Sequence, residues 1–194
     1  MGTRGAIGFR QDGADKLTYN HFDSYPEHLG EIVVDFIKQC TDAELAQIAS
    51  GIILVEEGKK PTYMQIKECQ EFTDLSVSER SDQDWYCLLR GAQGNLLAYK
   101  EGLRYMIDSK GFMKDSLFCE YAYVINIDDG NLEFYRGFNK NPKAAGRYAE
   151  KDDIPEDGYA GVKLVSVYPF SRVRDTSTED LVADMIAQTK DEEE

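Results

Sequence analysis

Four residues constrain this chain most: Asp128-Asp129-Gly130-Asn131. Alternating apolar residues flank them, over Phe118 to Ile127 on one side and Leu132 to Phe138 on the other. An Asp-Gly step between two such runs predicts a tight β-hairpin. A second Asp-Gly step lies in Gln11-Asp12-Gly13-Ala14-Asp15, between strands predicted over 4–10 and 16–22. Val162 to Tyr168 reads as one more strand, closed by Pro169.

Between the hairpins the period changes from two to 3.6. Leu29, Ile32, Val33, Phe36, Ile37 and Cys40 fall on one helical face. Ser24 and Glu27 stand at capping-box spacing before it, with Pro26 near the first helical position. Thr41 and Glu44 repeat the box ahead of Leu45, Ile48, Ala49 and Ile52. After the polar loop Glu56 to Lys60, Pro61 starts a third helix reaching about Phe72. Ser76 to Asp82 is polar and irregular. A stripe from Trp85 through Leu88, Leu89, Ala92, Leu96 and Tyr99 to Leu103 predicts a longer helix. Gly91 and Gly94 interrupt that stripe, which implies a close backbone approach or a break into two helices. Ser177, Thr178 and Asp180 cap a final helix carrying Leu181, Val182, Met185 and Ile186. The order ββ, helices, βββ, α predicts an α+β fold, a layered sheet with helices. Residues 1–190 read as one domain and 191–194 as a disordered acidic tail.

The chain has 194 residues, enough to bury a sizeable core, and a net charge of −14. Such a charge repels phosphate backbones, so direct nucleic-acid binding is not expected. Part of the excess lies in Glu150 to Asp157 and in the tail, both read as solvated. No apolar run approaches the ~20 residues of a membrane span, and no signal peptide is evident. Cys40, Cys69, Cys87 and Cys119 form no CxxC pair and sit among apolar neighbours. They read as reduced, buried thiols of a cytoplasmic protein. With His21 and His28 as the only histidines and no paired-ligand spacing, neither a metal nor a cofactor is predicted. The phosphate loops GxGxxG and GxxxxGK[ST] and the G-x-S-x-G elbow are absent from the sequence.

Two segments remain as candidate binding elements. The first is the polar cluster Arg4, Tyr19, Asn20, His21, Asp23 and Tyr25. Turn and cap chemistry explains part of it equally well. The second runs from Phe134 to Tyr148 and reverses the sign of the chain: Arg136, Lys140, Lys143 and Arg147, with Tyr148 and no carboxylate. Guanidinium groups suit phosphate or carboxylate, and aromatic faces suit a base. An ordinary solvated loop is the competing reading of this segment.

The opening hairpin resembles that of the N-terminal-nucleophile (Ntn) hydrolases. Their first strand begins at a catalytic Cys, Ser or Thr, and the second ends in a polar cluster beside the free amine. Asn20-His21-Phe22-Asp23 occupies the comparable place. The resemblance implies an Ntn-like αββα form of the α+β fold. It also implies amide hydrolysis by Thr3 after loss of Met1-Gly2, with Asp23 and Asn20 supporting the amine and the oxyanion. The chain departs from that pattern, since Gly2 has no side chain to attack with and Asn20 stands where the amidase branch has Arg.

A second resemblance spans more of the chain. Thr3-Arg-Gly5, Tyr19-Asn-His-Phe-Asp-Ser-Tyr-Pro26, Asp84-Trp-Tyr-Cys-Leu-Leu-Arg-Gly-Ala-Gln-Gly94, and Phe118-Cys-Glu-Tyr-Ala-Tyr-Val124 with Tyr135-Arg-Gly137, look like a family of hypothetical proteins of phage and bacterial genomes. That resemblance implies a cytosolic setting, an infected cell among them, and no catalytic residues. The reading favoured by the sequence is a non-catalytic binder of a small anionic ligand, such as a nucleotide signal, or of a host protein. The alternatives are the Thr3 amidohydrolase and an acidic nucleic-acid mimic that occupies a host enzyme.

Overall fold

A computed structural model describes residues 2–150 and 158–190 of the chain. Most of the acidic loop predicted to end at Asp157, and the tail from Asp191, lie outside the described residues. In chain order the elements are β1 (Gly5–Gln11), β2 (Ala14–Asn20), α1 (Glu31–Lys38), α2 (Asp42–Gly51) and β3 (Ile53–Val55). Then come α3 (Tyr63–Cys69), α4 (Trp85–Leu88), α5 (Leu97–Lys100), β4 (Tyr105–Ile107), β5 (Tyr121–Asn126), β6 (Asn131–Arg136), β7 (Lys163–Pro169), α6 (Phe170–Asp175) and α7 (Thr178–Lys190).

The fold is α+β. Five strands form one sheet in the order β2-β1-β5-β6-β7, and β3 pairs with β4 in a small parallel sheet. Within the large sheet only β1 and β5 run parallel. Both predicted hairpins form. Asp12 and Gly13 hold φ of 53° and 73°, the left-handed pair that a two-residue turn between twisted strands demands. Asp128 ties the hairpins together at this end of the sheet, because its carboxylate accepts from the N–H groups of Asp12 (2.7 Å) and Gly13 (2.9 Å).

Side chains alternate between the two faces of the sheet. Ile7, Phe9, Tyr123, Ile125, Leu132 and Phe134 meet the helices through Leu29, Val33, Phe36, Leu181 and Met185, all buried. Phe9 and Phe36 meet edge to face, ring centres 6.2 Å apart. The other face, with Ala6, Leu17, Ala122, Val124 and Tyr135, is covered by Met113, Cys119, Tyr148 and Val162 from the connecting segments. All four cysteines are free and buried, as expected. Among the described residues no helix is long and apolar enough to cross a membrane.

Two local expectations change, and the glycine-interrupted stripe shows both features its glycines implied. The Thr41–Glu44 box is present, but Ser24 caps nothing. Ser24 is buried, its hydroxyl accepts from Asn20 Nδ2 (2.9 Å), and its carbonyl takes the Tyr123 phenol (3.0 Å). The chain enters α1 instead through a wide turn over Pro26–Gly30, closed by Gly30 N–H on the Tyr25 carbonyl. The Trp85–Leu103 stripe is split into α4 and α5 around Gly94, whose φ is +70°. Backbone also approaches closely there, since a Cβ on Gly91 would stand 3.0 Å from the Phe72 carbonyl oxygen. Finally, α6 follows directly on β7, a helix that Pro169 concealed in the sequence.

Candidate functional site

The end of the sheet opposite the Asp128 clasp gathers chemistry. Asn20 pairs with Gly5, Gly5 with Tyr121, and Tyr121 with Arg136. This row therefore brings His21 and Phe22, which follow β2, beside Arg4, which precedes β1. It adds Glu120 before β5 and Phe138 just past β6. The segment between Ser116 and Glu120 is laced into the row. Glu120 N–H donates to the Arg4 carbonyl (3.0 Å), Gly137 N–H to the Glu120 carbonyl (2.8 Å), and Phe138 N–H to the Ser116 carbonyl (2.7 Å).

Three arginines line this end, each against a phenylalanine. Arg4 lies 4.6 Å from the centre of Phe118, Arg90 lies 5.3 Å from Phe22, and Arg136 lies 5.0 Å from Phe138. Those rings are 42 %, 49 % and 44 % exposed. Among the described residues none of the three guanidinium groups has a carboxylate within ion-pair distance. Arg90 instead donates to Gln93 Oε1 (2.9 Å), and Arg136 to the Glu120 carbonyl (2.9 Å) while it also lies over Tyr121. Unpaired arginines gathered at one place are notable in a chain of net charge −14.

Tyr19 and His21 share a face of the edge strand's continuation, and the Tyr19 phenol sits 2.7 Å from His21 Nδ1. Burial, then the nearby Tyr86, raises the Tyr19 pKa, so the phenol keeps its proton. Burial, then the cations Arg90 and Arg4, lowers the His21 pKa and holds the ring neutral. The neutral phenol and the neutral ring are joined by that one hydrogen bond. Two cavities flank this pair. One, of about 180 Å³, is lined by Thr18, Tyr19, Glu57, Tyr86, Gln93 and Tyr99. The other, of about 200 Å³, is lined by Asn20, Phe22, Asp23, His28, Arg90 and Gln93. Gln93 borders both.

No family model, curated protein or solved structure matches the chain.

The residues singled out by sequence divide into those at the end row and those elsewhere. Arg4, Asn20, His21 and Arg136 stand at the row, and Tyr19 lies one residue inside it, opposite Ala6. Asn20 is buried and faces inward, with its amide spent on the Phe22 carbonyl and the Ser24 hydroxyl. Asp23 is exposed in a left-handed turn (φ 52°), and Tyr25 is half-buried with its ring 6.3 Å from His28. Lys140 and Lys143 are exposed, Lys140 lying 5.2 Å from the Tyr159 ring.

Arg147 and Tyr148 serve the other face of the sheet. Glu133, buried on β6, accepts from both Arg147 terminal nitrogens (2.8 and 2.6 Å), from Asn126 Nδ2 (2.7 Å) and from the Tyr135 phenol (2.8 Å). Burial opposes the Glu133 charge, but the Arg147 and Asn126 bonds outweigh it and the carboxyl stays below its ordinary range. Tyr148 packs edge to face on Tyr135, 5.0 Å between centres. The carboxylate that occupies Arg147 thus comes from one residue before the basic segment begins. Sequence reasoning missed Arg90, because it sat inside an apolar stripe read as helix. Its one signal was an arginine next to a helix-breaking glycine. Among the described residues no three His, Cys, Asp or Glu side chains cluster as a metal site.

Proposed function

We propose that the protein is a cytoplasmic binder of a small anionic ligand bearing a flat ring, for which a nucleotide is the simplest chemistry, and that it holds this ligand without reacting it. One observation carries the proposal: Arg4 and Arg90 both stand near His21 at one sheet end of a strongly acidic chain, and among the described residues neither guanidinium has a carboxylate within ion-pair distance. A bound phosphate supplies the missing counter-charge, with planar bidentate donors and the His21 ring beside it. The cavity walled by Tyr19 and Tyr86 offers flat faces to a base. Four free, buried thiols favour a reducing compartment.

The placement of Asn20 and Asp23 favours holding over cutting. Neither is bonded to Thr3, whose carbonyl accepts from Ser24 N–H (3.1 Å) and whose hydroxyl has no partner among the described residues.

Isothermal calorimetry with nucleoside monophosphates and inorganic phosphate tests the reading. Saturable heat is expected for a nucleotide, weakened about tenfold or more by Arg4→Ala or Arg90→Ala as charge-assisted hydrogen bonds are lost. A flat response across bases and phosphate alike sinks it.

A further inference from the structure

Gln93 borders both cavities beside the Tyr19–His21 pair, and its amide can face only one way. A 3₁₀ turn over Arg90–Ala92 precedes it, with Gln93 N–H closing on the Arg90 carbonyl (3.3 Å). Residues i and i+3 eclipse in such a turn, so the two side chains lie together, Arg90 Nη1 standing 2.9 Å from the Gln93 amide. A guanidinium only donates, so the amide atom that meets it is the oxygen. Gln93 Nε2 is thereby left as a donor, and it has no partner among the described residues.

The cavity walled by Tyr19 and Tyr86 adds an acceptor. Glu57 lines it, and among the described residues no cation stands within ion-pair distance of that carboxylate. The volume is about 180 Å³, below the ~300–1,000 Å³ of sites that enclose a drug-sized ligand. It suits a base alone, with ribose and phosphate outside. Arg90 lines the neighbouring cavity, so it meets the phosphate while it holds the Gln93 amide.

We infer, building on the nucleotide reading above, that the base is guanine and that Gln93 and Glu57 select it. Guanine carries an acceptor, O6, beside two donors, N1–H and the N2 amine. Gln93 Nε2 donates to O6, and the two oxygens of Glu57 accept from N1–H and N2–H. Adenine reverses the pattern. Its N6 amine meets the Gln93 amine, donor against donor, and its N1 lone pair meets the Glu57 carboxylate. Hypoxanthine keeps O6 and N1–H but lacks the second bond to Glu57. A site built to hydrogen-bond its ligand rejects analogues that leave its polar groups unpaired.

The test is calorimetry with GMP, IMP and AMP on the parent and on the Gln93→Met and Glu57→Gln variants. The parent should bind GMP about tenfold more tightly than IMP and about a hundredfold more tightly than AMP. Gln93→Met removes the donor at similar length and should cut the GMP-to-AMP ratio about tenfold or more. Glu57→Gln leaves one acceptor in place of two and should erase the gap between GMP and IMP. Glu57 is exposed and Gln93 half-buried, so both variants should melt with the parent. Equal binding of GMP and AMP by the parent, or tighter binding of AMP, overturns the guanine inference while leaving a nucleotide site standing. A GMP preference over AMP that survives Gln93→Met, or a gap to IMP that survives Glu57→Gln, also overturns it. Absence of binding by all three nucleotides removes the nucleotide reading itself.

Discussion

Tyr19 Oη and His21 Nδ1 stand 2.7 Å apart, so the edge strand holds the His21 ring in place at the sheet's end row. The relationship makes the site's response to pH predictable in sign.

His21 should titrate below its ordinary value of 6.5, because burial, Arg90 and Arg4 all disfavour the imidazolium. The unfolded chain then takes the proton first, so stability falls as pH drops through about 6.5 toward the lowered folded value. A bound phosphate works the other way and favours the charged ring. The His21 midpoint, followed by NMR, should therefore rise when inorganic phosphate or a nucleotide saturates the site. Anion affinity should strengthen between neutral pH and the free-state midpoint. A midpoint that ignores saturating anion would place His21 outside the site.

Arg147→Ala should be among the most damaging single changes, at about 3–5 kcal/mol, because it strands the buried Glu133 carboxylate. Urea denaturation at pH 7 measures this. The stability held by the lowered Glu133 pKa is present above its ordinary value near 4.5 and is lost as pH falls through the folded one. The variant should accordingly show a weaker loss of stability on acidification than the parent. Arg4→Ala, by contrast, should leave stability within about 0.5 kcal/mol and act on binding alone.

Lys16 reaches from β2 to the end of α2, donating to the carbonyls of Ala49 (2.7 Å) and Ile52 (2.8 Å). Lys16→Met keeps the aliphatic stem and removes both bonds, at a cost of about 1.5–3 kcal/mol. Thermal denaturation should show this as a fall of roughly 3–12 °C.

Local chemistry was legible in the sequence and convergence was not. Asp12-Gly13 fixes its turn because few other residues adopt two successive left-handed conformations. Thr41 and Glu44 cap α2 with each other and need nothing distant. Ser24 had the same spacing, but Asn20 and Tyr123 claimed its polar atoms from elsewhere in the fold, so spacing alone misled. The paired strands β3 and β4 are three residues each, too short to show a period. At the candidate site, Arg4 and His21 stood in a visible cluster, whereas Arg90 joins them only through tertiary packing. Arg147 looked available until the fold turned Glu133 onto it.

The parallel joint between β1 and β5 has a consequence for biosynthesis. Arg4 and Glu120, at the start of that joint, are 116 residues apart in the chain. At ~5–20 residues per second, a ribosome needs roughly 6–23 s to emit the missing partner. Until then the earliest hairpin waits with its inner strand unzipped, an adhesive edge in a crowded cell. The nascent chain is most vulnerable to sticking to its neighbours during that interval, and slower elongation ahead of β5 would lengthen the exposure.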